Sequence, residues 1–117
     1  MTIDEAMRET AVPVVVADDQ GLITYVNQRF ERVFGWRPGE IVGSPLTMVI
    51  PKAFHDAHNL GLSRFLLTGK PVLLNRPIAL KAVTRDGQEL EAEHYIVAEQ
   101  RQGRWVLGAT IRPLDPD

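Results

Sequence analysis

The order in which two kinds of periodicity occur constrains this chain most. β-branched and apolar runs come at residues 11–17 and 22–26, and again at 72–83, 90–97 and 105–112. Most of the helical signals lie between these two groups. Strands segregated from helices in this way pair with their neighbours as hairpins, so the pattern predicts an α+β fold with an antiparallel sheet, not a βαβ architecture. The turns agree. Asp18-Asp19-Gln20-Gly21 separates the first two strands, Arg85-Asp86-Gly87 the next two, and a polar turn over 100–103 the last two.

The helices have their own punctuation. Thr2-Ile3-Asp4-Glu5 reads as a capping box opening a short N-terminal helix within residues 1–10. That helix must end before Pro13, because a residue preceding proline avoids the helical region. Asn27 is a good N-cap, and Phe30, Val33 and Phe34 recur at helical spacing until Gly35. A second short helix is predicted from Pro38 to Gly43, and a loop or single turn over 45–50. The longest helix is predicted from Pro51 to Thr68, closed by Gly69. Residues 11–112 form the core of a single domain, with 113–117 as tail.

At 117 residues and 44% hydrophobic, the chain can build one core but not two. Its 13 Lys and Arg nearly balance 15 Asp and Glu without clustering, which argues against nucleic acid or an anionic membrane as partner. Cysteine is absent, so disulfides, thiolate metal sites and a cysteine nucleophile are excluded. No apolar run approaches the ~20 residues of a membrane span, and the N-terminus lacks the pattern of a signal peptide. The expectation is a soluble, cytoplasmic protein.

Asn27, Phe34-Gly35-Trp36, Glu40, Gly43, Ile50-Pro51, Arg76, Arg85-Asp86-Gly87 and Thr110-Ile111-Arg112 stand in an order and spacing that resembles a PAS domain, the sensing module of signalling proteins. The resemblance runs from Val14 to Arg112. It implies a five-stranded antiparallel sheet in spatial order 2-1-5-4-3, covered on one face by short helices and one long helix. It also implies a ligand pocket between the long helix and the last three strands, and dimerisation through the N-terminal helix and the outer sheet face.

Periodicity adds a sharper expectation. Phe54, His58, Leu62 and Phe65 fall on one helical face, with Ala57 and Gly61 beside them and His55 at its edge. On the strand after Gly87, Leu90, Ala92, His94 and Ile96 alternate with Glu91, Glu93, Tyr95 and Val97. The glutamates mark the wet side, so His94 points inward. Two imidazoles are thus aimed at one interior space from opposite walls. The simplest account of each is a buried polar group satisfied by a carbonyl, hydroxyl or water.

The resemblance suggests another. PAS sensors that bind haem carry a histidine about seven residues after the proline opening the long helix, followed by an aliphatic residue and an arginine. Pro51, His58, Leu62 and Arg64 match. His58 is then the axial iron ligand, His94 a second axial ligand or a hydrogen-bond donor to bound gas, and Arg64 a propionate partner. An apolar residue is usual where His94 stands, so His94 is a departure. Leu62, Phe65 and Ile96 line the pocket, and Arg76 is a candidate fork for a propionate or carboxylate, if it does not pair with a sheet glutamate. Trp36 and Trp105 read as packing residues.

Enzyme signals are weak. His55 and His58 lack the HExxH pattern, Ser44 and Ser63 lack a nucleophile elbow, and no phosphate loop is present. Zinc held by His58, His94 and a carboxylate is a remote alternative. The main competitor to a ligand-binding sensor is a filled PAS core used for dimerisation or docking, with the Val-rich first strand and exposed Val83, Tyr95 and Val97 as its contact face. A homodimer or an effector domain is the expected partner.

Overall fold

Thr2 opens the first helix, α1 (Ile3–Arg8). Its hydroxyl accepts the Glu5 N–H at 3.1 Å, and the Glu5 carboxylate accepts the Thr2 N–H at 2.9 Å. In this computed structural model, which describes residues 1–69 and 75–114, the elements that follow are β1 (Val14–Ala17), β2 (Ile23–Val26), α2 (Gln28–Phe34) and α3 (Pro38–Ile41). Two 3-10 turns, Leu46–Val49 and Lys52–Phe54, lead into α4 (His55–Thr68). Three strands complete the chain: β3 (Pro77–Val83), β4 (Glu89–Arg101) and β5 (Arg104–Pro113). The sheet order is β2-β1-β5-β4-β3, every pairing antiparallel. Fold class and strand order are those the sequence implies.

Two apolar clusters lie on opposite faces of this sheet. The larger joins Val15, Ile23, Ala92 and Ile111 to Phe30 and Phe34 of α2, Ile41 of α3 and Val49. Phe30 and Phe34, four residues apart, stack at 4.7 Å. The smaller cluster sets Ile3 and Ala6 of α1 against Val14, Val16 and Val97. β1 is therefore buried on both sides, which is why its sequence is an unbroken apolar run without alternation.

Four of the residues that carry the family resemblance, Phe34, Trp36, Glu40 and Arg85, meet in one corner. The Arg85 N–H donates to the Phe34 carbonyl at 2.8 Å, its guanidinium lies 5.3 Å over the Trp36 ring, and it pairs with Glu40 at 3.0 Å. The β3–β4 turn closes with Thr84 donating to Asp86 and with Gly87 in the left-handed region at φ 89°.

Several boundaries differ from expectation. Lys52–Phe54 is a 3-10 turn, so α4 starts at His55. Among the described residues the third strand begins at Pro77, with Asn75 and Arg76 before it, and the expected 72–74 lie outside the described residues. β4 runs on to Arg101, leaving a two-residue turn at Gln102 (φ 54°) and Gly103 (φ 77°). Paired left-handed residues give the turn whose twist matches a hairpin. Pro113 belongs to β5, not to the tail. The expected contact face of the first strand with Val83, Tyr95 and Val97 is not open: β1 is buried throughout, Val97 is buried beneath α1, and Val83 and Tyr95 are half-buried.

The seat of α1 depends on a missing side chain. A Cβ at Gly108 would lie 2.7 Å from Ile3 Cδ1. Polar pins fix the helix further: the Ile3 N–H donates to Glu99 at 3.0 Å, Arg101 bridges Asp4 and Glu99, and the Tyr25 hydroxyl donates to the Met7 carbonyl. Gly108→Val is expected to lift α1 from the sheet at a cost of about 1–3 kcal/mol, the usual penalty of overpacking. Hydrogen exchange should show amides of α1 losing protection while those of β1 keep theirs; unchanged α1 protection would contradict this seat.

Candidate functional site

α4 carries His58 in its first half and meets the sheet through Phe65 in its second. Phe65 is buried and meets Trp105 of β5 at 4.7 Å between ring centres. Half-buried Leu62 comes close to Gly21 in the β1–β2 turn. His58, one turn before Leu62, is half-buried, and its Nδ1 is shielded from water with no hydrogen-bond partner. The expected apolar stripe fails at its start. Phe54 is 48% exposed, because it belongs to the 3-10 turn and not to the helix, and Ala57 and Gly61 are exposed.

The opposite wall is β4. His94 has the same parity as Ala92, a residue of the helix-covered core, and stands between Ile78 of β3 and Ile111 of β5. Its Nδ1 lies 3.1 Å from the Ala92 carbonyl. A carbonyl only accepts, so Nδ1 carries the proton and Nε2 keeps its lone pair. That is the arrangement in which metal-ligating histidines are usually held. Ile96, half-buried, is next on the same face and pairs with Ala109.

His58, Leu62, Phe65, His94 and Ile96 thus all lie at the helix–sheet layer. The two arginines do not join them. Arg64, six residues after His58 and so about 120° round the helix, is exposed. Arg76, just before β3, is exposed as well. His55 is occupied locally, its Nε2 donating to the Ile50 carbonyl at 2.7 Å. Trp105 is the partner that anchors α4. Its place on the inward face of β5 follows from the alternation with Leu107 and Ala109, a signal present in the sequence.

Among known proteins, the model of the PAS fold matches residues 3–71. The chain belongs to the PAS family. An uncharacterised protein of Azorhizobium caulinodans is 32% identical over 111 residues, covering 93% of this PAS domain and 15% of that protein. Sensor protein FixL of Bradyrhizobium diazoefficiens is 26% identical over 102 residues, covering 87% and 19%. The chain therefore spans less than a fifth of the length of these curated relatives. The crystal structure of the PAS domain of a Colwellia psychrerythraea protein superposes with a TM-score of 0.74 at 17% identity, over 95% of this chain and 92% of that one.

Two hollows of this PAS domain are surface features. One, of about 410 Å³, is lined by Tyr25, Gln28, Arg29 and Arg32, the other by Phe34, Thr84, Arg85 and Gln88. Neither is lined by α4. Among the described residues no three His, Asp or Glu side chains are grouped to hold a metal ion, and no helix is long and apolar enough to cross a membrane.

Burial pushes both core imidazoles of the PAS domain below the ordinary histidine value of 6.5. Asn59 opposes this in part at His58, and the Ala92 carbonyl at His94. Both rings are neutral near pH 7. Once unfolded, they take up protons from about pH 6.5 downward, where the folded rings still resist. The unfolded state then binds more protons, so stability is complete above about 6.5 and falls as pH drops below it. We expect the melting temperature to fall between about pH 7.5 and 5.5, and to fall less in a His58→Leu, His94→Leu double variant. Equal losses in the two proteins would contradict the assignment.

Proposed function

We propose that this PAS domain is a sensor that binds haem between α4 and the β3–β5 sheet, with His58 as axial ligand to the iron. The observation that carries the reading is the buried, partnerless Nδ1 of His58. An unsatisfied buried nitrogen is a cost to the fold that a bound ligand can relieve. The donor set suits the group: two neutral imidazoles, one with its proton already assigned away from the free nitrogen, among aliphatic side chains.

When bound, haem supplies an iron centre able to take a gas or change redox state. The protein's part is to hold and orient it. His58 would anchor the group from α4, and His94, whose Nε2 offers a lone pair and no proton, would stand as second ligand. Leu62, Phe65 and Ile96 exclude water. Arg64 and Arg76, exposed at the margin, serve propionates that reach solvent. Occupancy changes how α4 sits on the sheet, and a second copy or an effector reads that change; the ligand drives it only by binding the two packings unequally. The chain catalyses nothing itself and works in the cytoplasm.

Titrating haemin into the purified chain tests this. The expected result is a Soret band that saturates at one equivalent. A featureless titration, with absorbance no different from haemin in buffer, would end the haem reading. It would leave a PAS module that binds another ligand or works through its surfaces alone.

A further inference from the structure

The outer face of α4 carries a pattern that nothing inside the chain uses. Asp56, Leu60, Ser63, Arg64 and Leu67 are all exposed, and helical spacing gathers them within about 100° of one another. That face is turned away from Phe65, the residue buried against Trp105. Leu60 is 55% and Leu67 87% exposed, one heptad apart, and Phe54 is 48% exposed just before the helix. Neither Asp56 nor Arg64 makes an ion pair among the described residues. Gly61 flanks the row, and a Cβ added to it would meet nothing within 4 Å. Glycine weakens a helix interior, and no contact within the chain requires it here.

The charges on this face match those of the same face reversed. Asp56 and Arg64 stand four residues either side of Leu60. When the helix is laid antiparallel on a copy of itself, Leu60 against Leu60, each Asp56 comes level with Arg64 of the other copy, about 6 Å along the axis from the centre. Packed helices lie about 8–10 Å apart, and an arginine side chain spans the gap that remains. Two pairs of opposite charge then flank the central leucines. Leu67 comes level with the exposed Ala53 of the second copy, beside its Phe54. A parallel pairing sets Asp56 against Asp56 and Arg64 against Arg64, and so repels.

We propose that α4 pairs antiparallel with α4 of a second copy of this chain, on a two-fold axis at Leu60. Ala57 and Gly61, on the flank, let the two backbones come close. This contact uses neither α1 nor the outer sheet face, through which the family resemblance implies dimerisation. One helix of 14 residues from each copy makes a small interface, so the pair forms and parts with concentration. The pairing belongs to the ligand-free chain, in which Arg64 has no propionate to meet, and does not rest on the haem reading.

Sedimentation of the ligand-free chain should show a monomer–dimer equilibrium. Asp56→Arg and Arg64→Asp, each alone, set like charges level and should weaken it about tenfold or more. Mixing the two variants should restore association, because every contact between positions 56 and 64 in the mixed pair is again of opposite sign. A cross-link checks the register. The chain has no cysteine, so Leu60→Cys places a single thiol on the two-fold axis, within disulfide range of its copy. Mild oxidation should join Leu60→Cys chains and leave Leu67→Cys chains single, since two residues 67 lie about 20 Å apart in this register. A chain that stays monomeric at about 1 mM would overturn the pairing and leave the face to a different protein. Association that both charge variants retain, or equal cross-linking at 60 and 67, would put the contact elsewhere and overturn it as well.

Discussion

Replacing Asn27 by alanine is expected to cost about 3 kcal/mol or more, a large share of the stability of a domain this size. Asn27 is 6% exposed and uses its whole amide. Its Oδ1 accepts the N–H groups of Val14 and Phe30, each at 2.9 Å, and its Nδ2 donates to the carbonyls of Glu9 at 3.0 Å and Val12 at 2.9 Å. One side chain thus caps α2, fixes the start of β1 and ties down the segment leaving α1. Loss of the cap alone accounts for about 1 kcal/mol. The remainder comes from backbone groups left without partners. Urea denaturation measures it as a lower midpoint with an unchanged slope. Asn27→Asp separates the two halves, because it keeps both acceptor contacts and sets an oxygen against the two carbonyls. A loss under about 1 kcal/mol for Asn27→Ala would mean that the amide is a cap and little else.

The second large effect concerns His58. His58→Ala is expected to weaken haemin binding by at least about 100-fold, beyond the loss usual when only an outer partner of a metal ligand is removed. Free imidazole should restore part of the spectrum, since the space vacated has the shape of the missing ring. His94→Ala should keep a Soret band but move it or change its response to gas. In the ligand-free chain, His58→Leu should be neutral or stabilising, because it replaces an unsatisfied buried nitrogen with an apolar group. That opposition, less binding with no loss of stability, is expected of a group kept for function. If His58→Leu destabilises strongly while binding is unaffected, His58 is a packing residue.

Much of this was readable from residues, and the failures have physical causes. Strict alternation on β4 placed His94 correctly, because a period of two leaves one choice once Glu91 and Glu93 mark the wet face. The order of strands and helices gave the α+β class for a similar reason. The α4 stripe was half right. Leu62 and Phe65 turn inward, but the residues after Pro51 take a 3-10 turn, where three residues per turn send Phe54 elsewhere. Val97 was misread as open because nothing in a six-residue helix says which surface it covers; Ile3 and Ala6 are its only buried positions. Asn27 was legible as a cap but not as a hub, since its links to Glu9 and Val12 depend on where those carbonyls come to rest. Gly61, expected beside the buried stripe, is exposed with open space around it.

The claim on which the functional account rests is that the layer between α4 and the sheet takes up a haem on His58. Purifying the chain from cells supplied with iron and a haem precursor, and recording its absorption and native mass spectra, tests this most directly. The account predicts a Soret band and a mass one haem above the polypeptide, both absent from His58→Ala prepared alongside. A colourless protein at the bare polypeptide mass, or a haem adduct that His58→Ala retains in full, would contradict it.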